Sequence, residues 1–203
     1  MPVKTQQEDE MEPRIDTERL VIRPWRDDDA PAALAIYGDE EVTRWLTPEM
    51  DQVPDEPAMR AVLRRWQTGD VAPVSHWAVQ ERDTRRLVGG VALLRLAPWQ
   101  DIEIAWQLAR TAWGRGYAAE AGEALARWSM HYAAVDELFA LVGSSNTRAA
   151  ATAERIGMEW IGETDRYHGQ PLELYRLRHD DLPYCETCEG ALETDAVTAG
   201  RTP

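Results

Sequence analysis

Two hydrophobic periods alternate along the chain and predict a mixture of strands and helices. Residues 101–108, DIEIAWQL, alternate polar and apolar side chains, which is typical of a strand with one buried face. Residues 56–67 carry an apolar stripe at helical spacing, which is typical of an amphipathic helix. By the same reading, further strands are predicted at 18–26, 75–81, 87–96, 138–142, 158–164 and 172–177. Further helices are predicted after Asp27–Asp29, which are expected to cap the first of them, at 41–46, after the turn 113–118, and at 148–156. The helix after the turn is expected to place Ala121, Leu125, Trp128 and Tyr132 on one inner face.

This order of elements predicts an α+β fold with a mixed, mostly antiparallel sheet and helices on both faces. The patterned region, 14–182, is long enough to form one domain with a substantial core. Residues 1–13 are polar without a period and are predicted to be disordered. The acidic tail 183–203 is predicted to be loose.

The charge balance narrows the classes of function. The chain has 36 acidic and 22 basic residues and a formal net charge of -14, which argues against a general nucleic-acid-binding protein. Such a charge favours the approach of cationic partners such as amines. No apolar run is long enough to cross a bilayer, and the first residues are acidic rather than those of a signal peptide. A cytoplasmic protein without membrane contact is therefore expected.

The turn between the strand 101–108 and the following helix carries the candidate chemistry. Gly114 and Gly116 allow the backbone to approach a phosphate closely, and the helix N-terminus adds N–H groups and a positive dipole end. Arg115 adds a charged donor. Ala119 replaces the third glycine of the dinucleotide-binding pattern, which favours a ligand with a pyrophosphate and a long arm. A plain tight turn fits the same glycine spacing and is the alternative.

Around this turn the sequence resembles the acetyl-CoA-binding motif of the GNAT superfamily of acyl-CoA N-acyltransferases. The family's loop, Gln/Arg-x-x-Gly-x-Gly/Ala, falls on 113–118, where both small residues match and the first position, Trp113, departs. The segments EIAWQL and WGRGYAAEA, and Thr-Glu-Arg-Leu-x-x-Arg-Pro at 17–24, are similar to the branch that contains the ribosomal-protein N-terminal acetyltransferases. The resemblance covers about residues 17–178.

The resemblance implies a GNAT fold in which the strands 101–108 and 138–142 splay apart and the pantetheine arm of acetyl-CoA enters between them. It places the backbone of Trp106 and Leu108 beside the pantetheine amides, and Asn146 beside the cofactor arm. A plain helix N-cap is the alternative for Asn146. The diphosphate is expected on the N–H groups of Gly114, Arg115, Gly116, Tyr117, Ala118 and Ala119.

Acyl transfer to an amine needs a base for the amine and a donor for the oxyanion. Glu103 lies in the Glu-Ile-x-x-x-Leu strand pattern of this branch and is the candidate base. A solvated strand residue or a structural partner to an arginine is the alternative. Positions that carry an acid or base elsewhere in the family hold Ala149, Ala153 and Leu141. The thiolate is then expected to leave unaided or to take a proton from water, because a free thiol has a pKa of about 8.5.

Histidines, tryptophans and cysteines supply the remaining candidates. His76 and His168 are candidates for the acceptor side, with a wall residue and a solvent-exposed residue as the respective alternatives. Most of the nine tryptophans are expected in the core, and one or two at an amine site. Cys185 and Cys188 are half of a tetrahedral metal site, so no metal is expected unless two copies share a zinc ion.

The leading interpretation is an N-acetyltransferase that moves an acetyl group from acetyl-CoA to a primary amine, either a protein N-terminus or a small molecule. A catalytically silent acyl-CoA-binding or regulatory module is the alternative, because the usual acid side chains are absent. The oligomeric state stays open, with a homodimer as one option.

Overall fold

A computed structural model describes residues 14–46, 50–68, 74–167 and 169–182, which form eight strands, five α-helices and three short 3-10 helices. The strands are β1 (Ile15–Asp16), β2 (Leu20–Pro24), β3 (Ser75–Glu81), β4 (Leu87–Leu96), β5 (Asp101–Leu108), β6 (Glu137–Val142), β7 (Glu159–Thr164) and β8 (Leu172–Arg178). The helices are α1 (Ala30–Tyr37), α2 (Glu40–Thr43), α3 (Glu56–Thr68), α4 (Tyr117–Tyr132) and α5 (Thr147–Ile156). One sheet contains all of these strands in the order β1-β2-β3-β4-β5-β6-β8-β7.

The pairing of β5 with β6 differs from every other pairing in this sheet. All other neighbours are antiparallel, and β4 pairs with β5 along its length, from Gly89–Leu108 to Leu96–Asp101. β5 and β6 are parallel and pair at a single position, Glu103 with Phe139. Beyond this pair the two strands separate toward their C-terminal ends. The predicted α+β fold, with its mostly antiparallel sheet and splayed central strands, is confirmed.

Helices lie on both faces of the sheet, as predicted, and each face has its own core. Trp77 belongs to the core that β3, β4 and β5 share with α4, whereas the next residue, Ala78, belongs to the core under α1 and α3. This division follows from the alternation of side chains along a strand. The α4 core includes Val79, Val91, Leu93, Ile104 and Leu125. The core under α1 and α3 includes Trp25, Tyr37, Met59, Leu63 and Trp66.

The predicted cap of α1 is wrong. Residues 27–29 form a 3-10 turn, and Asp29 makes no side-chain cap at the start of α1. Its carboxylate instead accepts hydrogen bonds from the Arg23 guanidinium, at 2.7 and 2.9 Å, and from the Arg26 backbone N–H, at 2.8 Å. Because these donors occupy both carboxylate oxygens, Asp29 fixes the corner between β2 and α1 rather than the helix end.

Element lengths and one helix face also differ from the prediction. β2 is shorter than the predicted 18–26, and α2 ends before the predicted 41–46 does. Tyr132, expected on the inner face of α4, is 54% exposed. The buried face of α4 runs instead through Ala121, Gly122, Leu125, Ala126, Ser129 and Met130.

Some predicted features lie outside the described residues. These are the terminal segments 1–13 and 183–203, His168, and the pair Cys185 and Cys188. The predictions made for them stay predictions. Among the described residues, no helix combines the length and apolar character that crossing a bilayer requires.

Gly89 allows β4 to approach β5 closely next to the end of β5. A Cβ at this position would overlap the Gln107 carbonyl oxygen and lie 3.0 Å from Leu108 Cα. Gly89→Ala should therefore lower the free energy of unfolding by about 1–3 kcal/mol, the usual cost of overpacking. Chemical denaturation measures this cost. Gly143→Ala is the control, because its Cβ would meet only the Trp45 ring at 3.8 Å; equal stability of the two variants would contradict the close approach.

Candidate active site

Two adjoining cavities open where β5 and β6 separate. The loop cavity, of about 400 Å³, is lined by residues 112–114, 116–119 and the start of α5. The strand cavity, of about 850 Å³, is lined by residues 103–107 of β5, residues 140–146 and parts of α3. Both cavities are lined by Trp45, Leu46, Trp106, Gln107, Asn146 and Ala149.

The turn that leads into α4 requires glycine for its backbone conformation. Gly114 has a φ of +75° and Gly116 a φ of +79°, both in the left-handed region that residues with a Cβ rarely adopt. A Cβ on Gly114 would meet nothing within 4 Å, so the space beside this glycine is open. The glycines are therefore needed for the shape of the turn, and Gly114 borders open space.

The backbone N–H groups of residues 114–119 are available to a ligand. No described residue accepts a hydrogen bond from them, and the first bonded N–H of the helix is that of Glu120, which donates to the Gly116 carbonyl at 3.1 Å. The first turn of a helix leaves its N–H groups without intrahelical partners, and the helix dipole adds positive charge there. These groups can together bind an anion.

Arginines supply the charge of the loop cavity. Among its described lining residues the charged ones are Arg148 and Arg155, which lie two turns apart on α5. Arg148 stacks over the Trp113 ring at 4.3 Å, and the Trp113 indole N–H donates to the Leu108 carbonyl at 2.9 Å. The sequence reasoning missed both arginines. Their spacing of seven residues, which places them on one helix face, was the available signal.

Most of the predicted cofactor residues come together at the loop cavity. They are Trp106, Leu108, Gly114, Gly116, Tyr117, Ala118, Ala119 and Asn146. The side chain of Arg115 does not, because it turns outward and its Nη1 lies 3.4 Å from Oε1 of Glu81. The expected charged donor is thus directed away from the cavity, and only the Arg115 N–H remains in the candidate set.

Asn146 occupies the N-cap of α5, which was its alternative reading. Its Oδ1 accepts a hydrogen bond from the Ala149 N–H at 3.2 Å. Asn146 also lines both cavities, so the cap places this side chain beside any ligand in the opening.

β5 directs backbone groups of Trp106 and Leu108 into the opening. The Ala109 N–H donates to the Val88 carbonyl at 2.9 Å, so Ala109 faces β4. In an antiparallel pair, the N–H and C=O groups of successive residues point alternately toward and away from the neighbouring strand. Those of Trp106 and Leu108 therefore point away from β4. The Leu108 carbonyl already accepts the Trp113 indole N–H, so Trp106 offers the more accessible pair of groups.

The strand cavity brings Glu103 and His76 together on one lining. Glu103 is 8% exposed and lies at the single β5–β6 pair, which excludes the reading of a solvated strand residue. His76 stacks on Trp66 with ring centroids 4.4 Å apart and an angle of 7° between the rings. Four aromatic residues, Tyr37, Trp45, Trp66 and Trp106, also line this cavity.

The strand cavity does not share the negative charge of the whole chain. Its described charged lining residues are Arg44, Arg65 and Arg95 together with one carboxylate, Glu103. The expectation that net charge would attract a cationic acceptor therefore finds no support at this cavity.

A carboxylate at the end of β3 holds the outer side of the glycine turn. Glu81 is 7% exposed and accepts hydrogen bonds from Arg86 at 3.0 Å and from the Tyr117 hydroxyl at 3.0 Å. The Thr84 hydroxyl also donates to it. The hydrogen bonds from Arg86 and Thr84 are the main reason that the pKa of Glu81 is lowered to about 2.

This lowered pKa predicts an acid-dependent part of the folding stability. The carboxylate binds protons more weakly when folded than when unfolded, where a glutamate has a pKa of about 4.3. Its contribution is therefore complete above about pH 4.5 and is lost as the pH falls toward about 2. Denaturation between pH 5 and pH 3, taken as about the titration range of this group, should show a steeper loss of stability in the wild type than in Glu81→Gln. Parallel pH profiles would contradict the assignment.

The mixed sheet, whose parallel central strands separate beside a helix N-terminus with unbonded N–H groups, has the features that the sequence resemblance implies for an acyl-CoA-dependent N-acyltransferase. Residues 19–159, more than half of the chain, match the family model described as acetyltransferase (GNAT) domain. The chain therefore belongs to the GNAT family of acetyl-CoA-dependent N-acetyltransferases. The family resemblance seen in the sequence is confirmed.

Individual relatives agree with this assignment. The uncharacterized N-acetyltransferase YoaA of Bacillus subtilis is 25% identical over 162 residues, which are 77% of this chain and 89% of YoaA. The crystal structure of an acetyltransferase from Agrobacterium tumefaciens superposes with a TM-score of 0.66 at 27% identity and covers 82% of this chain and 94% of that one. RimJ of Mycobacterium smegmatis, in complex with CoA-disulfide, shares the fold with a TM-score of 0.70 at 17% identity, covering 81% and 84%.

Proposed function

We propose that this protein transfers the acetyl group of acetyl-CoA directly to a primary amine, with the cofactor in the loop cavity and the amine in the strand cavity. The observation that carries the proposal is the row of N–H groups at 114–119 that have no acceptor among the described residues. These groups lie where β5 and β6 separate. They suit a diphosphate, and the opening suits a long, narrow arm that ends in a thioester.

The bound cofactor follows β5 from the glycine turn toward Glu103. Its diphosphate accepts hydrogen bonds from the N–H groups of 114–119, and Arg148 and Arg155 add positive charge on the same cavity. Its pantetheine amides meet the backbone groups of Trp106 at the open edge of β5. Trp106 lines both cavities, so an arm along it reaches from the first cavity into the second.

The reaction is a direct attack of the amine on the thioester. The amine nitrogen forms a bond to the carbonyl carbon, and a backbone N–H at the β5 edge stabilises the oxyanion that develops. Glu103 accepts the proton that the nitrogen loses. The C–S bond then breaks, the electron pair leaves with sulfur as CoA thiolate, and water supplies its proton. The products are the N-acetylated amine and CoA.

The size and lining of the strand cavity fit an amine with an apolar or planar body. A volume of about 850 Å³ lies within the range of ligand-binding cavities and admits a small molecule or the first residues of a peptide. A panel of small amines and peptide N-termini, assayed for CoA release, tests the proposal. Acetylation of at least one class supports it, and CoA binding without transfer to any amine would contradict it.

A catalytically silent acyl-CoA-binding module is the second candidate. The observation that favours it is the pair of alanines at the family's acid positions. Ala149 lines both cavities, and Ala153 is fully buried, so neither position offers a proton to the thiolate. The same amine panel separates the two candidates, because a silent module binds CoA without consuming acetyl-CoA.

Gly116→Val tests the cofactor loop. A β-branched residue is strained at a φ of +79° and would displace the N–H groups that follow it. The affinity for CoA should fall by about tenfold or more, equal to about 1.4 kcal/mol, in isothermal titration calorimetry. Gly162→Val is the control, because Gly162 also has a positive φ but lies on β7. Unchanged CoA affinity in folded Gly116→Val would contradict the proposal that this turn binds CoA.

Glu103→Gln tests the proposed base. The substitution keeps the size of the side chain and removes the proton acceptor, so turnover should fall by about 10²–10⁴-fold. CoA affinity should barely change, because the side chain lines the strand cavity and not the loop cavity. The fall of the rate at low pH should also disappear, since a base must be deprotonated to act. Full turnover with an intact pH profile would show a structural role, and Glu163→Gln, an exposed carboxylate on β7, is the control.

A further inference from the structure

The glycine turn at residues 113–118, which is proposed to bind the diphosphate, is held on its outer side by side chains that do not line either cavity. Glu81 accepts a hydrogen bond from the Tyr117 hydroxyl at 3.0 Å, and the guanidinium of Arg115 lies 3.4 Å from the same carboxylate oxygen. Neither Glu81 nor Arg115 lines the loop cavity or the strand cavity. One buried carboxylate therefore contacts the residues on both sides of Gly116.

A second group of side chains, from the segment between β1 and β2 and from α4, holds the same turn. Arg19 donates to the Arg115 carbonyl at 2.9 Å, and its guanidinium lies 4.8 Å from the centre of the Tyr117 ring. Arg19 is itself held by Glu120, at 2.6 Å. Glu120 also accepts a hydrogen bond from the Thr17 hydroxyl, at 2.6 Å. The carbonyl and side chain of Arg115, and the hydroxyl and one face of the ring of Tyr117, are thus each held by a contact.

We infer that Glu81 is a positioning residue for the cofactor's diphosphate: by holding Arg115 and Tyr117 on the outer side of the turn, it fixes the direction of the N–H groups at 114–119. The inference rests on the proposed function, because it assumes that the diphosphate binds those groups. It adds a residue that touches no cofactor and lies far from the turn in sequence.

The chemistry of the site explains why a carboxylate can serve here. A negative charge near a phosphate site opposes binding, but Arg86 and Arg115 both contact Glu81 and offset its charge. Glu81 then affects binding mainly because it fixes the geometry of the turn. A glycine turn loses more backbone freedom on ordering than other turns, so fixing it before the ligand arrives reduces the cost of binding.

The competing account is that Glu81 only stabilises the β3–β4 turn. It pairs there with Arg86 at 3.0 Å and accepts the Thr84 hydrogen bond. Thr84→Ala removes one of these contacts without changing the charge around Glu81, and it leaves the contacts to Arg115 and Tyr117 in place. It is therefore the matched control for Glu81→Ala.

The experiment compares donors with and without the diphosphate. Glu81→Ala should weaken CoA binding by about tenfold in calorimetry and raise the KM for acetyl-CoA about equally, with kcat within about twofold of wild type. The KM for acetyl-pantetheine, which lacks the diphosphate, should not change. Glu81→Gln, which keeps an oxygen that can accept the Tyr117 hydroxyl, should recover part of the CoA affinity.

Three results would overturn the inference. They are unchanged CoA binding in Glu81→Ala, an equal loss in Thr84→Ala, and an equal rise in KM for both donors. The calorimetric test is independent of turnover. Wild-type protein that binds CoA but acetylates no amine contradicts the proposed transfer, whereas the effect of Glu81→Ala on binding still decides the inference. Wild-type protein that does not bind CoA contradicts both.

Discussion

The candidate site depends on the separation of β5 and β6 beyond the pair formed by Glu103 and Phe139. Both cavities open in the gap between these two strands. The two strands are parallel, so α4 crosses between them and begins just after the C-terminal end of β5. The free N–H groups of its first turn therefore lie at the mouth of the opening. The same separation exposes the edge of β5 at Trp106. If β5 and β6 were paired along their whole length, there would be no gap for the proposed pantetheine arm and no free backbone groups on β5 to bind it.

Local charge, rather than the charge of the whole chain, determines what these cavities suit. The chain carries a net charge of -14, yet the described charged residues of the loop cavity are Arg148 and Arg155. Carboxylates close to the turn, Glu81 and Glu120, lie on its outer side and are paired with arginines. Exposed charges farther away than about 8 Å are largely screened at physiological salt. A protein this acidic can therefore still present a site for a polyanionic cofactor.

The sequence predicted the structure correctly where the structure depends on residues that are close together in the chain. The alternation in 101–108 and the glycines at 114 and 116 predicted a strand, a turn and a helix in the observed places. It failed where several groups compete for one side chain. Asp29 has the residue type of a helix cap, but Arg23 and the Arg26 N–H occupy its carboxylate.

The same limitation applied to the candidate site. Arg115 has the residue type of a phosphate ligand, yet a carboxylate 34 positions earlier in the chain draws its side chain outward. Glu81 gave no sequence signal, because its importance depends on strands that meet only in the folded sheet. Arg148 and Arg155 share a helix face, but the loop cavity that this face lines forms only when α5 packs on the sheet. Patterns of period two and of helical period predict elements, whereas contacts between elements have no comparable pattern.

A crystal structure of the protein with CoA tests the central claim most directly. The account predicts diphosphate oxygens within hydrogen-bonding distance of the N–H groups at 114–119. It also predicts that the pantetheine arm lies between β5 and β6, with an amide on the Trp106 backbone. A diphosphate bound elsewhere, with those N–H groups unoccupied or the arm outside the opening, would contradict it.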